Sequence, residues 1–350
     1  MYDRLKALEI VENISEIARA EGKKTGFTIG NTAKKSEEGL YFTPIRNSIL
    51  MVLGGIIVYS ESQAIEIAKA LDGKVDYILV DAEKKIPAEM SLLGEPANVE
   101  RAVRESIKES RLWIYKGNDL SVEAVDTLLT ELTKNRITGI GAAKVTILGA
   151  GNLGAKLALK LVERGAHVTV TQRKKEKLDA IVKALNLIKP DFTTSNVSGT
   201  LDNQTAAKGA EILIGATQGI PVITTKIIED LADKAIILDV GKGTLYPEAI
   251  SLAEKKNIDI YRLDITAALE GLISALWATD DIVNTKMGRR QLHNESLVSG
   301  GLLGRENEMV VDNVWDPSRV YGIADGNGDF VRELKNEQLL RIENLQALIG

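Results

Sequence analysis

A glycine-rich turn in the middle of the chain carries the clearest chemical signal. Residues 149–154 read GAGNLG, which is the pattern G-x-G-x-x-G, between a β-branched apolar run and a helical pattern. This context predicts a dinucleotide-binding turn, in which the glycines allow a tight turn, a close approach of the pyrophosphate and close packing of helix on strand. The alternative is a glycine-rich turn that binds no ligand. The predicted cofactor contacts in this segment are Gly149, Gly151, Asn152, Leu153 and Gly154.

The end of the next predicted strand indicates which dinucleotide is bound. An NAD site usually has an acidic residue about 20 residues beyond the glycines, where it binds the ribose 2′-hydroxyl. Here the segment 172–175 reads QRKK, and no acid occurs before Glu176. Arginine and lysine can instead pair with a 2′-phosphate. The alternative, a solvated basic helix start, is unfavourable at the positive end of a helix without an anion. We therefore expect NADP, with NAD as the alternative, and contacts from Gln172, Arg173 and Lys174.

Two later turns are predicted to complete the cofactor site. The sequence GAT at 215–217 and the sequence VGKG at 240–243 each end a buried strand. Ligands of open α/β sheets bind at the carboxyl ends of strands, and small residues there let a ring or ribose pass closely. Ordinary turn chemistry explains both segments equally well. The candidate contacts are Ala216, Thr217 and Gly241.

The elements that position these turns alternate along the chain. Strands are predicted at 144–150, 167–171, 211–216, 235–240 and 259–264, with helical patterns between them. Near-continuously apolar strands that alternate with helices are typical of a parallel sheet covered on both faces. The predicted fold class is therefore α/β, with a doubly wound sheet of the Rossmann type.

The remainder of the chain is predicted to form a smaller amino-terminal α/β domain and a carboxy-terminal extension. A helix at 117–138 joins the first domain to the nucleotide domain, and a returning helix leads into the extension. The extension contains a predicted hairpin at 320–331 and a last helix from residue 334. The predicted domains are 1–124, 125–270 and 271–350. The elements predicted for the first domain are strands at 25–29, 55–59 and 77–80 and helices at 2–20, 46–53, 62–71 and 98–109.

Further polar segments occur in a characteristic order. They read IGN (29–31), KS (35–36), TPIRN (43–47), VDAEKK (80–85), KGND (116–119), QRK (172–174) and GAT (215–217). This order resembles the substrate segment, the catalytic-lysine segment, the N-T-D segment, the N-R-T cofactor clamp and the A-T turn of the shikimate and quinate dehydrogenases. The resemblance covers about 25–280. It extends to the wider superfamily of two-domain NAD(P) oxidoreductases that includes amino-acid dehydrogenases, glutamyl-tRNA reductases and methylene-tetrahydropterin dehydrogenases.

The resemblance implies hydride transfer with a proton moved by a lysine–aspartate pair. Lys84 or Lys85 stands at the position of the family's lysine, and Asp119 stands at that of its aspartate. Desolvation in a closed cleft can lower the pKa of such a lysine. A solvated pair of lysines at a strand end is the alternative.

Four more residues are candidates for substrate contacts. Ser36 and Thr43 lie in the segment that resembles the family's substrate segment, and Asn118 precedes the aspartate. Helix capping explains Asn118 equally well. Glu270 lies on the helix that leaves the last strand and is placed to reach the same cleft, although a surface carboxylate is the alternative.

The composition excludes several kinds of site. The 350 residues include no cysteine and two histidines, so disulfides, thiolate zinc sites and iron–sulfur clusters are excluded, and we expect no metal. The net charge of −5 disfavours nucleic acid and anionic membranes. The charged first 20 residues predict an amphipathic helix rather than a signal peptide, and the longest apolar run, 49–59, is too short to span a bilayer. We expect a cytoplasmic homodimer or other homo-oligomer with a small-molecule substrate.

Together these observations predict an NADP-dependent oxidoreductase. It would transfer hydride to or from a small hydroxy or amino acid in a cleft between the first two domains. A methylene-tetrahydropterin dehydrogenase is one alternative, although aromatic residues, at 4%, offer little surface to stack a pterin. A non-catalytic protein that senses NAD(P)H is the other.

Overall fold

The computed structural model describes residues 2–32, 40–87 and 97–349. The chain divides into two compact units, the first ending at Gly271 and the second beginning at Leu272. The first unit holds two largely parallel sheets, and the predicted division between them near residue 124 stays a prediction. None of the helices in the described ranges is long and apolar enough to cross a membrane.

The amino-terminal sheet has the order β2-β4-β1-β5-β6, and β3 also pairs with β4. Strands β4, β1, β5 and β6 are parallel, whereas β2 and β3 run antiparallel to β4. The carboxyl ends of β1, β5 and β6 therefore share one edge. The elements are α1 (Tyr2–Glu21), β1 (Lys24–Asn31), β2 (Tyr41–Phe42), β3 (Arg46–Asn47), β4 (Met51–Val58), α2 (Glu61–Leu71), β5 (Tyr77–Asp81), α3 (Val99–Arg104) and β6 (Arg111–Tyr115).

Two features of this sheet differ from the sequence predictions. The helix predicted at 46–53 is wrong, because β3 and β4 occupy this stretch. Strand β4 pairs with β1 on one side and with β2 and β3 on the other, and α1 packs against it. It is buried almost throughout, so its apolar run lacks the alternation that separates strand from helix. Strand β6 was not predicted. It lies at the sheet edge and is anchored by Trp113, whose ring centroid is 4.2 Å from that of Tyr77.

The second sheet is entirely parallel, with the order β12-β11-β10-β7-β8-β9. Counted from β7, this is the doubly wound order 3-2-1-4-5-6, so the predicted fold class is confirmed. The direction of strand order reverses between β7 and β10. The elements are α4 (Gly117–Thr133), β7 (Lys144–Leu148), α5 (Asn152–Glu163), β8 (His167–Thr171), α6 (Lys175–Ile188), β9 (Val197–Thr200), α7 (Asn203–Ala207), β10 (Ile212–Gly215), α8 (Thr225–Asp230), β11 (Ile236–Asp239), α9 (Pro247–Lys255), β12 (Ile260–Arg262) and α10 (Thr266–Asp281).

Helix α4 connects the two sheets. Its apolar face, with Val125 and Leu129 fully buried, packs in the same core cluster as Leu157 and Leu161 of α5. Its first residue follows β6 directly after Lys116. The helix therefore places the polar residues of its first turn beside the carboxyl edge of the first sheet and the start of α5.

The second unit is built on a sheet of order β13-β14-β15-β16, in which β14 and β15 are parallel and the other pairs antiparallel. Ala324 bridges Phe330 antiparallel after β16, so the chain folds back within the predicted hairpin, and the predicted last helix is confirmed. The elements are a π-helical turn (Ile282–Lys286), β13 (Gly288–Leu292), β14 (Glu295–Ser299), β15 (Met309–Val311), β16 (Val320–Ile323) and α11 (Asn336–Ile349). The buried core residues are Leu297, Met309, Val311, Val314, Ile323 and Leu345.

Candidate functional site

The glycine-rich turn joins β7 to α5, as predicted from the sequence. Gly149 has φ +110°, and a Cβ there would lie 3.1 Å from the backbone of Ala216. A Cβ on Gly154 would lie 2.1 Å from the carbonyl oxygen of Gly149. Both positions therefore require glycine, the first for its backbone conformation and the second for the close approach of helix and turn.

The same turn offers space and donors for an anion. A Cβ at Gly151 would meet no atom within 4 Å, and Gly151 caps α5 without a side-chain hydrogen bond. In the part of the chain described, the backbone N–H groups of Asn152 and Leu153 donate no hydrogen bond within the protein. Free N–H groups at the positive end of a helix suit a phosphate. The residues present thus fit the pyrophosphate of a dinucleotide.

The end of β8 is held against this turn by hydrogen bonds. Ala150 N donates to the carbonyl oxygen of Thr171 (2.7 Å), and Gly149 N donates to the Thr171 hydroxyl (3.2 Å). The Gln172 amide donates to the carbonyl oxygen of Ala150 (3.0 Å) and accepts from the backbone N–H of Arg173 (2.9 Å). Gln172 therefore shapes the turn itself, and its predicted contact with the cofactor stays a prediction.

The two basic residues that follow are exposed. Within the described ranges, neither Arg173 nor Lys174 forms an ion pair, whereas the next residue, Lys175, binds Asp179 (2.8 Å). The two unpaired cations stand at the start of α6, where the helix end is itself positive. This arrangement leaves both side chains able to bind an anion.

The turns after β10 and β11 pack against each other at the same edge. Ala216 N donates to the carbonyl oxygen of Leu148 (2.9 Å), and Gly241 N donates to that of Gly215 (2.9 Å). A Cβ on Gly241 would lie 1.7 Å from the carbonyl oxygen of Thr217, so only glycine fits there. The predicted segments at Ala216, Thr217 and Gly241 thus meet beside the glycine-rich turn.

A buried carboxylate fixes the turn after β11. Asp239 accepts hydrogen bonds from the backbone N–H groups of Gly243 and Thr244 and from the Thr244 hydroxyl (2.8 Å). Burial raises the pKa of Asp239, but these bonds and the charge of Arg262 outweigh burial and lower it below its ordinary value. The carboxylate therefore stays charged and holds the loop in shape.

Lys85 lies in a network of carboxylates just beyond β5. Its Nζ is 2.7 Å from Asp81 Oδ2 and 2.9 Å from Glu83 Oε2. Burial lowers the pKa of Lys85, but the charges and hydrogen bonds of Asp81 and Glu83 outweigh burial and raise it above its ordinary value. The lowered pKa expected from desolvation is therefore not found. Lys84, the neighbouring candidate, is exposed.

Asp119 has other partners than the predicted lysines. It binds Lys116 (2.8 Å) and Lys156 of α5, while Lys85 binds Asp81 and Glu83. Burial raises the pKa of Asp119, but hydrogen bonds from the two lysines outweigh it and lower that pKa. The predicted lysine–aspartate pair is thus not a direct ion pair here, although the catalytic roles of Lys84, Lys85 and Asp119 stay predictions.

Glu83 lies between the two predicted partners. Its carboxylate binds Lys85, accepts from the backbone N–H of Asn118 (2.9 Å) and faces Lys156 Nζ at 3.5 Å. Asp81, Glu83 and Lys156 were not among the predicted site residues. The sequence signals that could have found them were two carboxylates just after the predicted strand at 77–80 and a lysine one turn into the helix that follows the glycines.

The predicted substrate residues lie at different places. Thr43 donates its backbone N–H to the carbonyl oxygen of Gly55 (2.9 Å), and its own side chain is half-buried. Asn118 donates to the side-chain oxygen of Asn152 at the start of α5 (2.9 Å). Glu270 accepts from the backbone N–H of Ile49 (3.1 Å). Ser36 lies outside the described residues.

Part of the chain matches a known protein family. Residues 144–243 match the family described as NADP oxidoreductase coenzyme F420-dependent. The match starts at β7 and ends in the turn after β11, so it contains the glycine-rich turn, the basic segment after β8 and the turns around Ala216 and Gly241.

Curated relatives match part of the chain. A glycerol-3-phosphate dehydrogenase [NAD(P)+] of Limosilactobacillus reuteri is 31% identical over 114 residues, which is 29% of this chain and 32% of that protein. A glutamyl-tRNA reductase of Flavobacterium psychrophilum is 24% identical over 221 residues, or 59% of this chain and 50% of that protein. The matches thus span between a third and a half of these relatives' own lengths.

Solved structures resemble the chain more distantly. A shikimate dehydrogenase in complex with NADP+ is 18% identical, with a TM-score of 0.42 over 73% of this chain and 90% of that one. The L-tryptophan dehydrogenase of Nostoc punctiforme is 15% identical, with a TM-score of 0.42 over 75% of this chain and 76% of that one.

Proposed function

We propose that this protein is an NADP-dependent oxidoreductase that transfers hydride to or from a small hydroxy or amino acid bound between the two sheets of its first unit. One observation carries the proposal. The open glycine-rich turn, with donors free for a pyrophosphate, lies beside a half-buried lysine network at the edge of the first sheet. Lys156 and the Asn118–Asn152 hydrogen bond link the two. The family match at 144–243 supports the same assignment.

The basic segment after β8 supports NADP over NAD. Arg173 offers a planar fork and Lys174 a point charge for a 2′-phosphate, and no acidic side chain stands between Gln172 and Lys175 to bind a free 2′-hydroxyl. Both cations are exposed and unpaired within the described ranges, so binding the phosphate would not require breaking an existing ion pair.

A bound nicotinamide would supply the hydride chemistry, and the chain's own part is to orient the substrate and to move one proton. An ammonium has three N–H donors, and Asp81 and Glu83 accept two of those on Lys85. The third is left for a substrate oxygen or nitrogen. In reduction, hydride would add to the substrate carbon, and Lys85 would give this proton to the attached oxygen or nitrogen, so that Lys85 itself becomes neutral. In oxidation Lys85 would take the proton back. Its raised pKa keeps Lys85 protonated near neutral pH, which is the form that can donate this proton.

The test measures cofactor binding and turnover separately. NADPH binding is followed by fluorescence, and NADPH oxidation is screened with a panel of 2-oxo acids, with and without ammonium. We expect Lys85→Met to lower turnover at least about 100-fold while NADPH still binds, since proton transfer by a positioned group contributes about 10²–10⁴-fold. Lys84→Met, the matched control in an exposed neighbour, should keep full turnover.

Two results would overturn the proposal. Failure to bind either NADPH or NADH would exclude the nucleotide site itself. Tight NADPH binding without turnover of any acid would instead identify a protein that senses NADPH.

A further inference from the structure

Glu83 has more contacts than its bond with Lys85. Its side chain is 11% exposed and meets three groups from three parts of the fold: Lys85 after β5, the first turn of α4, and Lys156 of α5. We propose that Glu83 is a positioning residue, which holds Lys85 in its charged form and couples that charge to the helix that starts at the glycine-rich turn. The catalytic meaning of this coupling rests on the proposed function, but the coupling itself does not.

The backbone around Lys85 is arranged to keep this contact. The Asn31 side chain accepts from the backbone N–H of Lys85 (3.3 Å) and donates to the carbonyl oxygen of Asp81 (3.0 Å). A Cβ on Gly117 would lie 2.8 Å from Asp81 Oδ2 and 3.1 Å from Lys85 Nζ. The glycine at the start of α4 therefore lets this helix approach the ion pair closely, which brings Asn118 within reach of Glu83.

Charged and titratable groups surround the ion pairs of Lys85. Asp81 and Glu83 lie on its own segment, and Tyr115 at the end of β6 stands near both carboxylates. Burial raises the pKa of Tyr115, and the Asp81 charge raises it further, so this hydroxyl stays neutral near pH 7. On the far side of Glu83, Asp119 of α4 pairs with Lys116, which precedes α4, and with Lys156 of α5. Among the described residues, Glu83 is the carboxylate that contacts both Lys85 and Lys156.

One substitution separates the charge of Glu83 from its structural contact. Glu83→Gln retains a side-chain oxygen that accepts the Asn118 N–H, so the start of α4 keeps its partner, but it removes the negative charge between the two lysines. We expect the pKa of Lys85 to fall by about 1 unit or more, the change typical of losing an adjacent opposite charge.

Lysine labelling reads this pKa without any turnover. The intact protein is treated briefly with acetic anhydride across pH 7–12, and acetylation of Lys84 and Lys85 is quantified by peptide mass spectrometry. In the unmodified protein Lys85 should titrate above the ordinary range of a lysine, because Asp81 and Glu83 stabilise its charged form. Glu83→Gln should lower the Lys85 midpoint.

Two further variants test the coupling. Lys156→Met removes a cation that faces Glu83, so it should raise the Lys85 midpoint, the opposite sign to Glu83→Gln. Glu123 of α4 forms an exposed ion pair with Lys160 of α5 (2.6 Å). Glu123→Gln therefore removes the same charge between the same two helices, and it should leave the Lys85 midpoint unchanged.

The outcomes decide between positioning and a merely structural role. An unchanged Lys85 midpoint in Glu83→Gln, or identical shifts in Glu83→Gln and Glu123→Gln, would overturn the proposal. If the labelling shift is found and no NADPH turnover exists, the coupling stands and the proposed function fails. If both exist, the pH profile of kcat/KM should shift down with Glu83→Gln by the same amount as the labelling midpoint.

Discussion

Two single substitutions in the glycine-rich turn, Gly151→Ala and Gly154→Ala, should separate the turn's role in cofactor binding from its role in folding. A methyl group at Gly151 enters open space, whereas a methyl group at Gly154 would lie 2.1 Å from the carbonyl oxygen of Gly149. Contacts to a Cβ are normally at least 3.4 Å, so α5 and the turn must move apart by about 1.3 Å in Gly154→Ala. Overpacking of this kind costs roughly 1–3 kcal/mol, and the better helix propensity of alanine offsets up to about 1 kcal/mol.

The two variants therefore have opposite expected signatures. Gly154→Ala should lose about 1–2 kcal/mol of stability, or about 2–6 °C in Tm. Gly151 has φ −84°, which alanine adopts readily, so Gly151→Ala should change stability by less than about 0.5 kcal/mol. Its methyl group displaces a phosphate from the N–H groups of α5. Losing one hydrogen bond to a charged group costs about 1.5–3 kcal/mol, which is roughly 10- to 100-fold in NADPH affinity.

Calorimetry and NADPH fluorescence titration measure the two effects. Gly271→Ala in α10 is the matched control, because a Cβ there also meets no atom within 4 Å and the residue is exposed. It should leave NADPH affinity unchanged and raise stability by up to about 1 kcal/mol. Wild-type NADPH affinity in Gly151→Ala would refute the phosphate site, and an unchanged Tm in Gly154→Ala would refute the tight contact of helix and turn.

Three further predictions concern other parts of the chain. Arg173→Ala should weaken NADPH binding about 10-fold or more and leave NADH binding nearly unchanged, and equal losses in the two titrations would refute the 2′-phosphate contact. Gly241→Ala places a Cβ 1.7 Å from the Thr217 carbonyl oxygen, so it should cost about 1–3 kcal/mol, measured by denaturant unfolding; a cost under about 0.5 kcal/mol would show that the loop adapts. Burial raises the pKa of Asp312, but hydrogen bonds from the hydroxyl and backbone N–H of Ser318 and from the backbone N–H of Arg319 outweigh burial and lower that pKa to about 2. Because the folded-state pKa is lowered, this stabilisation is present above about pH 5 and lost as the pH falls towards 2, so Asp312→Asn should cost about 1–2 kcal/mol at pH 7 and almost nothing at pH 2.

Most of the second sheet could be predicted from the sequence because its signals are local. The strand, the glycines and the following helix of 144–163 are contiguous, and their order is enough to specify how they fold. Strand β9 was missed because its four residues, VSGT, have only one apolar side chain. Its place follows from pairing with β8, and a Cβ on its Gly199 would lie 2.7 Å from Leu178 of α6.

The lysine site shows the opposite case. The sequence determined that acidic and basic residues follow β5 and begin α4, and hence that charged groups gather at the carboxyl edge of the first sheet. Which charges meet was decided by the tertiary structure alone. Packing of α4 on α5 brings Lys156 to Asp119 and Glu83, and the short reach from Lys85 to Asp81 and Glu83 favours these partners over Asp119. Ion pairing depends on distances of a few ångströms between elements far apart in the chain, and neither residue type nor spacing along the sequence contains those distances.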